Sequence, residues 1–164
     1  MKINIKKLCG NAVIPARGSD KAAGYDLHAC TKHGRGITIA PHKTVKIHTG
    51  ISMAIPDGYF GAIFARSGLA SNNGLRPATC VSVIDSDYRG EIVVPLHNDT
   101  HKRQSLGDGA RIAQLVILPY LPAEFCEVNE LDETARGAGG FGSTGVGAIV
   151  AKESVYEQLS LFND

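Results

Sequence analysis

An all-β fold is predicted by three features of the sequence: alternating apolar and polar residues, frequent turn residues, and no helical periodicity before residue 150. Alternation with a period of two is typical of strands that bury one face. It occurs in residues 37–39, 45–48, 59–65 and 92–96. Many short strands at regular spacing indicate a β-sandwich, a jelly roll or a barrel.

Turn residues separate these strands, and one segment departs from the alternation. Turns are predicted at Pro56-Asp57-Gly58, Asn72-Asn73-Gly74, Asn98-Asp99 and Gly107-Asp108-Gly109. Residues 111–120 form a longer apolar run, which predicts a strand buried on both faces.

Three sections of the chain differ in composition. Residues 1–135 carry the strand patterns and are predicted to form the β-domain. Residues 136–147 contain six glycines, and such a segment cannot hold a packed conformation alone. Residues 148–164 form a C-terminal extension with modest helical character.

The charge balance restricts the classes of partner. The 164 residues include 17 Lys and Arg against 16 Asp and Glu, so a broad electrostatic surface for nucleic acid or for an anionic membrane is not expected. A bound anion should instead be met by a local cluster of donors. The sequence has no apolar run of about 20 residues and no signal-peptide pattern at its start, which predicts a cytoplasmic protein.

The cysteines and histidines show no metal-binding pattern. Cys9, Cys30, Cys80 and Cys126 form no close pair in the sequence, and reduced thiols are expected in a cytoplasmic protein. The six histidines are scattered as well, so zinc chemistry is not predicted.

The segment from Val83 to Glu91 carries an apolar strand into a turn rich in Asp, Ser and Gly. In an extended chain, Asp85 and Asp87 project to the same side. An ordinary hairpin explains such carboxylates through hydrogen bonds to the backbone. A catalytic carboxylate at the mouth of a turn is the functional alternative.

Arg66, Ser67 and Gly68 follow another predicted strand. The guanidinium group offers a planar set of donors for phosphate oxygens, and a Ser-Gly pair that opens a helical turn adds a hydroxyl and free backbone N–H groups. A strand-to-turn junction with a helix cap is the structural alternative.

The glycine-rich segment includes Arg136, Phe141, Ser143 and Thr144 but lacks the Gly-Lys-Ser/Thr of a Walker loop. A flexible linker explains the glycines but not the arginine and the aromatic ring. These residue types suit a lid, with Arg on a terminal phosphate and Phe stacked on a base, where stacking contributes about 1–3 kcal/mol. Two weaker segments place Asp26 among small and apolar residues, and Arg111 and Gln114 before a buried strand.

These five segments, in this order, resemble the five motifs of the trimeric dUTPase family. The motifs are Ala-Gly-Tyr-Asp-Leu at 23–27, Arg-Ser-Gly-Leu at 66–69, Val-Ile-Asp-Ser-Asp-Tyr-Arg-Gly at 83–90, Arg-Ile-Ala-Gln at 111–114 and Arg-Gly-Ala-Gly-Gly-Phe-Gly-Ser-Thr-Gly at 136–145. The resemblance covers residues 1–145. It implies a distorted β-jelly-roll homotrimer with a C-terminal arm, with three active sites at subunit interfaces, and the hydrolysis of dUTP to dUMP and pyrophosphate.

The resemblance also implies a role for each matching residue. Asp85 is expected to deprotonate the water that attacks the α-phosphorus. Tyr88 is expected to pack on the deoxyribose and to exclude a 2′-hydroxyl sterically. The third-motif hairpin is expected to read uracil through main-chain groups at Thr79, Val83, Ile84 and Asp85, with Val93 nearby. Mg²⁺ is expected to be held mainly by the triphosphate, with Asp26 bound to its water ligands.

Phosphate binding is assigned by the resemblance to two further sets of residues. Arg66, Ser67, Gly68 and Gln114 are expected at the α- and β-phosphates. The lid is expected to close with Arg136 on the γ-phosphate and Phe141 over uracil, next to Gly142, Ser143 and Thr144. Three positions depart from the family pattern: Ala65 stands for a common Pro, Ser82 for Gly, and Ala110 for an acidic residue.

Two alternatives remain open from the sequence. The dCTP deaminases and their bifunctional relatives share this fold. A dUTPase-like protein without catalysis, acting as a regulatory or clamp-associated module, is the non-enzymatic alternative.

The extension ends in Gln158, Leu159, Ser160, Leu161 and Phe162. This peptide resembles the one by which bacterial replication and repair proteins bind the DNA sliding clamp. Leu159, Leu161 and Phe162 would enter an apolar pocket while Gln158 fixes the orientation. Packing of the same residues on the trimer surface is the alternative. Clamp binding would indicate a bacterial or bacteriophage source.

Overall fold

Strands account for most of the regular structure in the computed structural model, which describes residues 1–31 and 34–140. The elements are β1 Asn4–Lys7, β2 Ala16–Arg17, β3 Tyr25–His28, β4 Ile37–Ile39, β5 Thr44–His48, β6 Ile51–Ala54, β7 Tyr59–Phe64, α1 Ser67–Asn73, β8 Leu75–Pro77, β9 Ser82–Ile84, β10 Val93–Asn98, β11 Gln104–Leu106 and β12 Arg111–Pro119. The predicted all-β class is confirmed.

The strands of the described residues pair antiparallel in four sheets. The largest has the order β2-β3-β12-β7-β9, and a second has the order β5-β10-β8. Two further pairs join β1 to β6 and β11 to β4. Sequence neighbours seldom pair with each other, because the chain crosses repeatedly between sheets, as it does in a jelly roll.

Aliphatic side chains from all these sheets fill the core. β10 shows the period-two pattern clearly, since Val94 and Leu96 are buried while the residues between them are half-buried. Leu27, Ile47, Ile63, Leu96 and Ile112 are each at most 1% exposed. Full burial of one such side chain stabilises the fold by about 1.5–3 kcal/mol.

The fully buried Asn98 ties two turns together. Its side-chain amide donates to the carbonyl oxygens of Ile39, Ala40 and Lys102 at 2.8–3.2 Å, and its Oδ1 accepts from Thr100. A buried amide is tolerated because nearly all of its hydrogen-bonding capacity is used.

Asp108 similarly fastens the turn before β12. Its carboxylate accepts the backbone N–H of Thr31 at 2.7 Å and the side-chain amide of Asn11 at 2.9 Å. The hydrogen bond from the Thr31 N–H is the main cause that lowers the pKa of Asp108 below its ordinary value. Asp108 is the acidic residue nearest before Arg111, and its hydrogen bonds give it a structural role in this turn.

Four predictions of local structure need correction. Asn72, Asn73 and Gly74 do not connect two strands: they end α1, where Gly74 adopts the left-handed conformation at φ 60°. The hairpin predicted around Asp85 is absent from the described residues, because β9 pairs with β7 while β10 pairs with β5 and β8.

The other two corrections concern β12 and the cysteines. β12 is fully buried only in its first half, at Ile112, Ala113 and Leu115, and residues 116–118 are half-buried. Cys9 and Cys30, expected as separate thiols, are paired as a disulfide across a sequence separation of 21 residues. The loop after β1 and the end of β3 bring them together, which their spacing in the sequence does not reveal.

The chain divides into two compact units, Met1–Ala123 and Glu124–Asp164. In the second unit, residues 124–138 and 140 are exposed, with Phe125 at 96% and Leu131 at 84%. Among the described residues, no helix is long and apolar enough to cross a membrane.

Candidate active site

Asp26 and Gln114 lie side by side because β12 runs between β3 and β7. Gln114 is in register with Asp26 on one side and with Phe64 on the other. Arg66 follows two residues after Phe64. The first, second and fourth motifs therefore meet at one end of the largest sheet.

The Asp26 carboxylate is paired with two guanidinium groups. Arg66 Nε donates to Asp26 Oδ1 at 2.9 Å, and Arg111 Nη1 donates to Oδ2 at 3.4 Å. The Asp26 side chain is 16% exposed, and the Arg66 side chain is 26% exposed. One carboxylate against two guanidiniums leaves a local excess of positive charge, together with donors suited to phosphate oxygens.

Gln114 is oriented by the strand end that follows β7. Its Nε2 donates to the Ala65 carbonyl oxygen at 2.9 Å. On its other side, a Cβ atom at Gly24 would lie 2.6 Å from Gln114 Oε1, so a larger residue there would displace the Gln114 side chain. The amide is thus held beside Asp26 by contacts on both sides.

Ser67 and Gly68 open the first turn of α1, which confirms the helical turn predicted there. Arg66 is the N-cap residue in an extended conformation, and no side chain caps this helix end. Ser67 and Gly68 are exposed. Their hydroxyl and backbone N–H groups are available to an anion at the same end of the sheet.

His28 is a member of this cluster that the sequence analysis missed. It follows Asp26 by two residues on β3, a spacing that places both side chains on the same face. Burial is the main cause that lowers the pKa of His28; Asp26 opposes the shift, whereas Arg111 and Arg66 add to it. Its Nδ1 is buried without a hydrogen-bond partner among the described residues.

Asp85 lies at the end of β9, in a turn that residues 85–88 form. The Tyr88 N–H donates to the Asp85 carbonyl oxygen at 3.2 Å, and Arg89 Nη1 donates to the carbonyl oxygens of Ser86 and Tyr88. Asp85 and Asp87 both line one open depression of about 570 Å³. Phe60, Val83, Ser86 and Tyr120 complete its lining.

Tyr88 is fixed against the main chain. Its hydroxyl donates to the Glu91 carbonyl oxygen at 2.9 Å, and its ring covers Gly90, where a Cβ atom would overlap the ring. The residue is 43% exposed, so one face of the ring is accessible to a ligand.

The segment predicted to read a base includes the edge strand β9. This strand pairs with β7 on one side, and no described strand pairs with its other side. Its outward main-chain N–H and C=O groups are therefore available to a ligand. Thr79 Oγ1 and Ser82 Oγ are 2.6 Å apart, so Ser82 shares a hydrogen bond with Thr79. Val93 lies in β10, opposite His48.

Among the predicted site residues of the first unit, Asp85 and Arg66 lie at opposite ends of β7. Ile84 is in register with Gly61 near the start of β7, whereas Arg66 follows its last residue, Phe64. Some six residues of extended chain separate the two ends, a distance of ~20 Å. A single chain does not bring Asp85 to Arg66.

Arg136 lies in the second unit, within a turn of residues 134–139. Its Nε donates to the Gly139 carbonyl oxygen at 2.9 Å, and Gly137 has a left-handed φ of 50°. The other predicted lid and peptide residues fall outside the described residues. They are Phe141, Gly142, Ser143, Thr144, Gln158, Leu159, Leu161 and Phe162.

A magnesium ion held mainly by a substrate is compatible with these residues. The described part of the chain contains no group of three metal-ligating side chains. Mg²⁺ keeps several waters in proteins and is commonly held by one or two carboxylates plus substrate phosphates. Asp26, a single carboxylate beside phosphate-binding donors, fits that arrangement.

Comparisons with known proteins agree on one family. A family model described as dUTPase matches residues 10–145. The chain is 50% identical over 134 residues to a deoxyuridine 5'-triphosphate nucleotidohydrolase of Desulfitobacterium hafniense, covering 81% of this chain and 87% of that protein. It is 48% identical over 145 residues to the protein of the same name from Wolinella succinogenes, covering 88% and 95%.

A solved structure shares the fold as well. The dUTPase of Staphylococcus bacteriophage 80alpha, in a mutant form with dUpNHpp, matches with a TM-score of 0.80 at 28% identity. The match covers 88% of this chain and 99% of that one.

Proposed function

We propose a mechanism for this chain from the premise that it belongs to the dUTPase family. It is a dUTP diphosphatase, which hydrolyses dUTP to dUMP and pyrophosphate. This reaction keeps uracil out of DNA and supplies dUMP. The proposed mechanism divides base recognition, water activation and phosphate binding among separate groups of residues.

The separation of Asp85 from Arg66 along β7 is the observation that supports the proposed arrangement of the active site. Hydrolysis needs a base and phosphate-binding donors within a few ångströms of the same phosphorus. One copy supplies them ~20 Å apart. A second copy, related by the threefold axis of a homotrimer, would place its Arg66 cluster beside the Asp85 depression of the first. The exposed apolar side chains of Phe125 and Leu131 support burial against further copies.

Asp85 acts as the general base. Its carboxylate is exposed and lines the open depression, so a water molecule can lie between it and the α-phosphorus. Abstracting a proton from that water makes it a stronger nucleophile, and such help is typically worth about 10²–10⁴-fold in rate. Pyrophosphate leaves from the opposite side of the phosphorus.

The edge of β9 reads the base and Tyr88 reads the sugar. Main-chain groups at Val83, Ile84 and Asp85 match O4 and N3–H of uracil, with Thr79 and Val93 nearby. Cytosine inverts this pattern and would leave buried polar groups without partners. Tyr88 packs on the deoxyribose and leaves no room for a 2′-hydroxyl.

The cluster around Asp26 holds the triphosphate. Arg66, Ser67, Gly68 and Gln114 donate to the α- and β-phosphates, where fixed donors stabilise the charge that develops. Mg²⁺, which the family generally uses, supplies further positive charge at the phosphates when bound, and Asp26 would hold its water ligands.

The C-terminal lid completes the site. Arg136 would bind the γ-phosphate, and Phe141 would stack on uracil, with Gly142, Ser143 and Thr144 lining the closed segment. Closure of such a segment excludes water from the bound nucleotide. The hydrogen bond between Arg136 and the Gly139 carbonyl oxygen supports this role, since it folds the start of the segment into a turn.

A panel of nucleotides tests the assignment. We expect pyrophosphate release from dUTP with Mg²⁺, and rates at least about 100-fold lower from dCTP, dTTP and UTP. Each of these nucleotides either lacks a hydrogen bond that uracil makes or carries an extra group that clashes with the site. Ammonia from dCTP would instead identify the deaminase relatives. An unchanged level of dUTP would contradict the assignment altogether.

We propose as well that Gln158, Leu159, Leu161 and Phe162 bind a bacterial sliding clamp. The proposal is supported by residues 158–162, each of which agrees with the clamp-binding peptide. The segment before them in the C-terminal extension shows no strand pattern. Deleting residues 157–164 should abolish capture of the chain by immobilised clamp and leave dUTP hydrolysis intact. Capture that persists after the deletion would contradict the proposal.

A further inference from the structure

The orientation of the Tyr88 ring is set by the main chain of residues 90 and 91. The ring lies on Gly90, and the Tyr88 hydroxyl donates to the Glu91 carbonyl oxygen at 2.9 Å. The position of the Tyr88 ring relative to a bound sugar therefore depends on the contacts that hold residues 90 and 91 in place.

The Glu91 carboxylate holds it through the turn between β5 and β6. Oε1 accepts the Gly50 N–H at 2.8 Å, and Oε2 is 2.7 Å from His48 Nδ1. The Glu91 side chain is 25% exposed, so these hydrogen bonds are partly shielded from water. Two more bonds join the same segments, from the Thr49 hydroxyl to the Ile92 carbonyl oxygen and from the Ile92 N–H to the Ile51 carbonyl oxygen.

The turn between β5 and β6 is itself held by other segments, so it can fix the position of Glu91. The Gly50 carbonyl oxygen accepts the Leu8 N–H at 2.7 Å, and the His48 carbonyl oxygen accepts the Cys30 N–H at 2.8 Å. Gly50 has a φ of 67° and packs directly on the sulfur atoms of Cys9 and Cys30, where a Cβ atom would overlap them. These two hydrogen bonds and the packing on the cysteine sulfurs hold the main chain of the turn in place.

We propose that Glu91 is a positioning residue for sugar specificity, which acts by fixing the main chain to which Tyr88 is bonded. The proposal rests on the role of Tyr88 in the proposed function. Excluding a 2′-hydroxyl requires the ring to stay within a fraction of an ångström of its position, because a small retreat makes room for one oxygen atom. Without the carboxylate, residue 91 keeps its bonds through Ile92 but loses those to His48 and Gly50.

The test compares Glu91→Ala with Glu91→Gln. In the alanine variant we expect the ratio of kcat/KM for dUTP to that for UTP to fall by about tenfold, the effect of losing hydrogen bonds worth roughly 1.4 kcal/mol. The change should appear mainly as a rise in kcat/KM for UTP, with kcat for dUTP within about threefold of wild type, because Asp85 is untouched. Glu91→Gln should restore the ratio, since the amide oxygen can accept from Gly50 and the amide N–H can donate to His48.

Asp99→Ala provides a matched control. Asp99 accepts two hydrogen bonds from Arg76 just after the far end of β10, so its loss removes a comparable ion pair away from Tyr88. It should leave the nucleotide ratio unchanged. In a Tyr88→Phe background, where the bond to residue 91 is already absent, Glu91→Ala should change the ratio by less than about twofold.

The outcomes separate the two proposals. A Glu91→Ala protein with the wild-type ratio, or a Glu91→Gln protein as impaired as the alanine variant, would overturn the positioning role. A wild-type protein that does not discriminate dUTP from UTP would instead overturn the role of Tyr88.

Discussion

Replacing Asp85 with Asn lowers kcat for dUTP hydrolysis by about 10²–10⁴-fold, because an amide cannot accept the proton of the attacking water. The two side chains have nearly the same shape, and Asp85 is exposed, so the fold should not change. We expect KM for dUTP to stay within a few-fold of the wild-type value. Pyrophosphate release under saturating dUTP and Mg²⁺ measures the effect.

Asp87→Asn is the control for this prediction. Asp87 lines the same depression two residues later, and the substitution removes the same charge. A general electrostatic effect of the acidic turn would lower the rate equally in both variants and would contradict a specific role for Asp85. We expect Asp87→Asn to retain at least about a third of the wild-type kcat, since screened surface charges contribute little.

Mixing the inactive variants Asp85→Asn and Arg66→Gln in one trimer should restore part of the dUTP hydrolysis. Asp85→Asn lacks the base, and Arg66→Gln lacks a phosphate donor. If these groups meet between neighbouring copies, each mixed trimer has one interface at which both are intact. Random assembly of equal amounts then gives about a quarter of the wild-type activity, and the purified mixed trimers alone give about a third.

Co-expression of the two variants with different affinity tags measures this restoration after mixed trimers are purified. Each variant alone, purified in the same way, sets the background. Mixed trimers that stay at this background would show that Asp85 and Arg66 serve the same chain, in contradiction to their separation along β7.

The sequence was sufficient for the fold class. Alternation predicted β4, β5, β7 and β10 because those strands bury one face, which is a local property. β2 has only two residues, too few to show a period. The pairing of β9 with β7 instead of β10 depends on contacts distant in sequence, which no local pattern encodes.

The same distinction applies to the candidate site. Asp26, Arg66 and Gln114 could be chosen by residue type, but their meeting depends on the position of β12 between β3 and β7. His28 could have been found from its spacing of two residues after Asp26. Glu91 could not, because its partners His48 and Gly50 precede it by more than 40 residues.

The free edge of β9 has a consequence for solubility. An edge with unpaired main-chain groups can recruit a strand from another molecule and so begin aggregation. β9 is only three residues long, and the carboxylates of Asp85 and Asp87 follow it almost at once. Short length and negative charge both discourage the addition of a strand from another molecule. This edge can therefore stay exposed for a nucleobase without promoting aggregation of the protein.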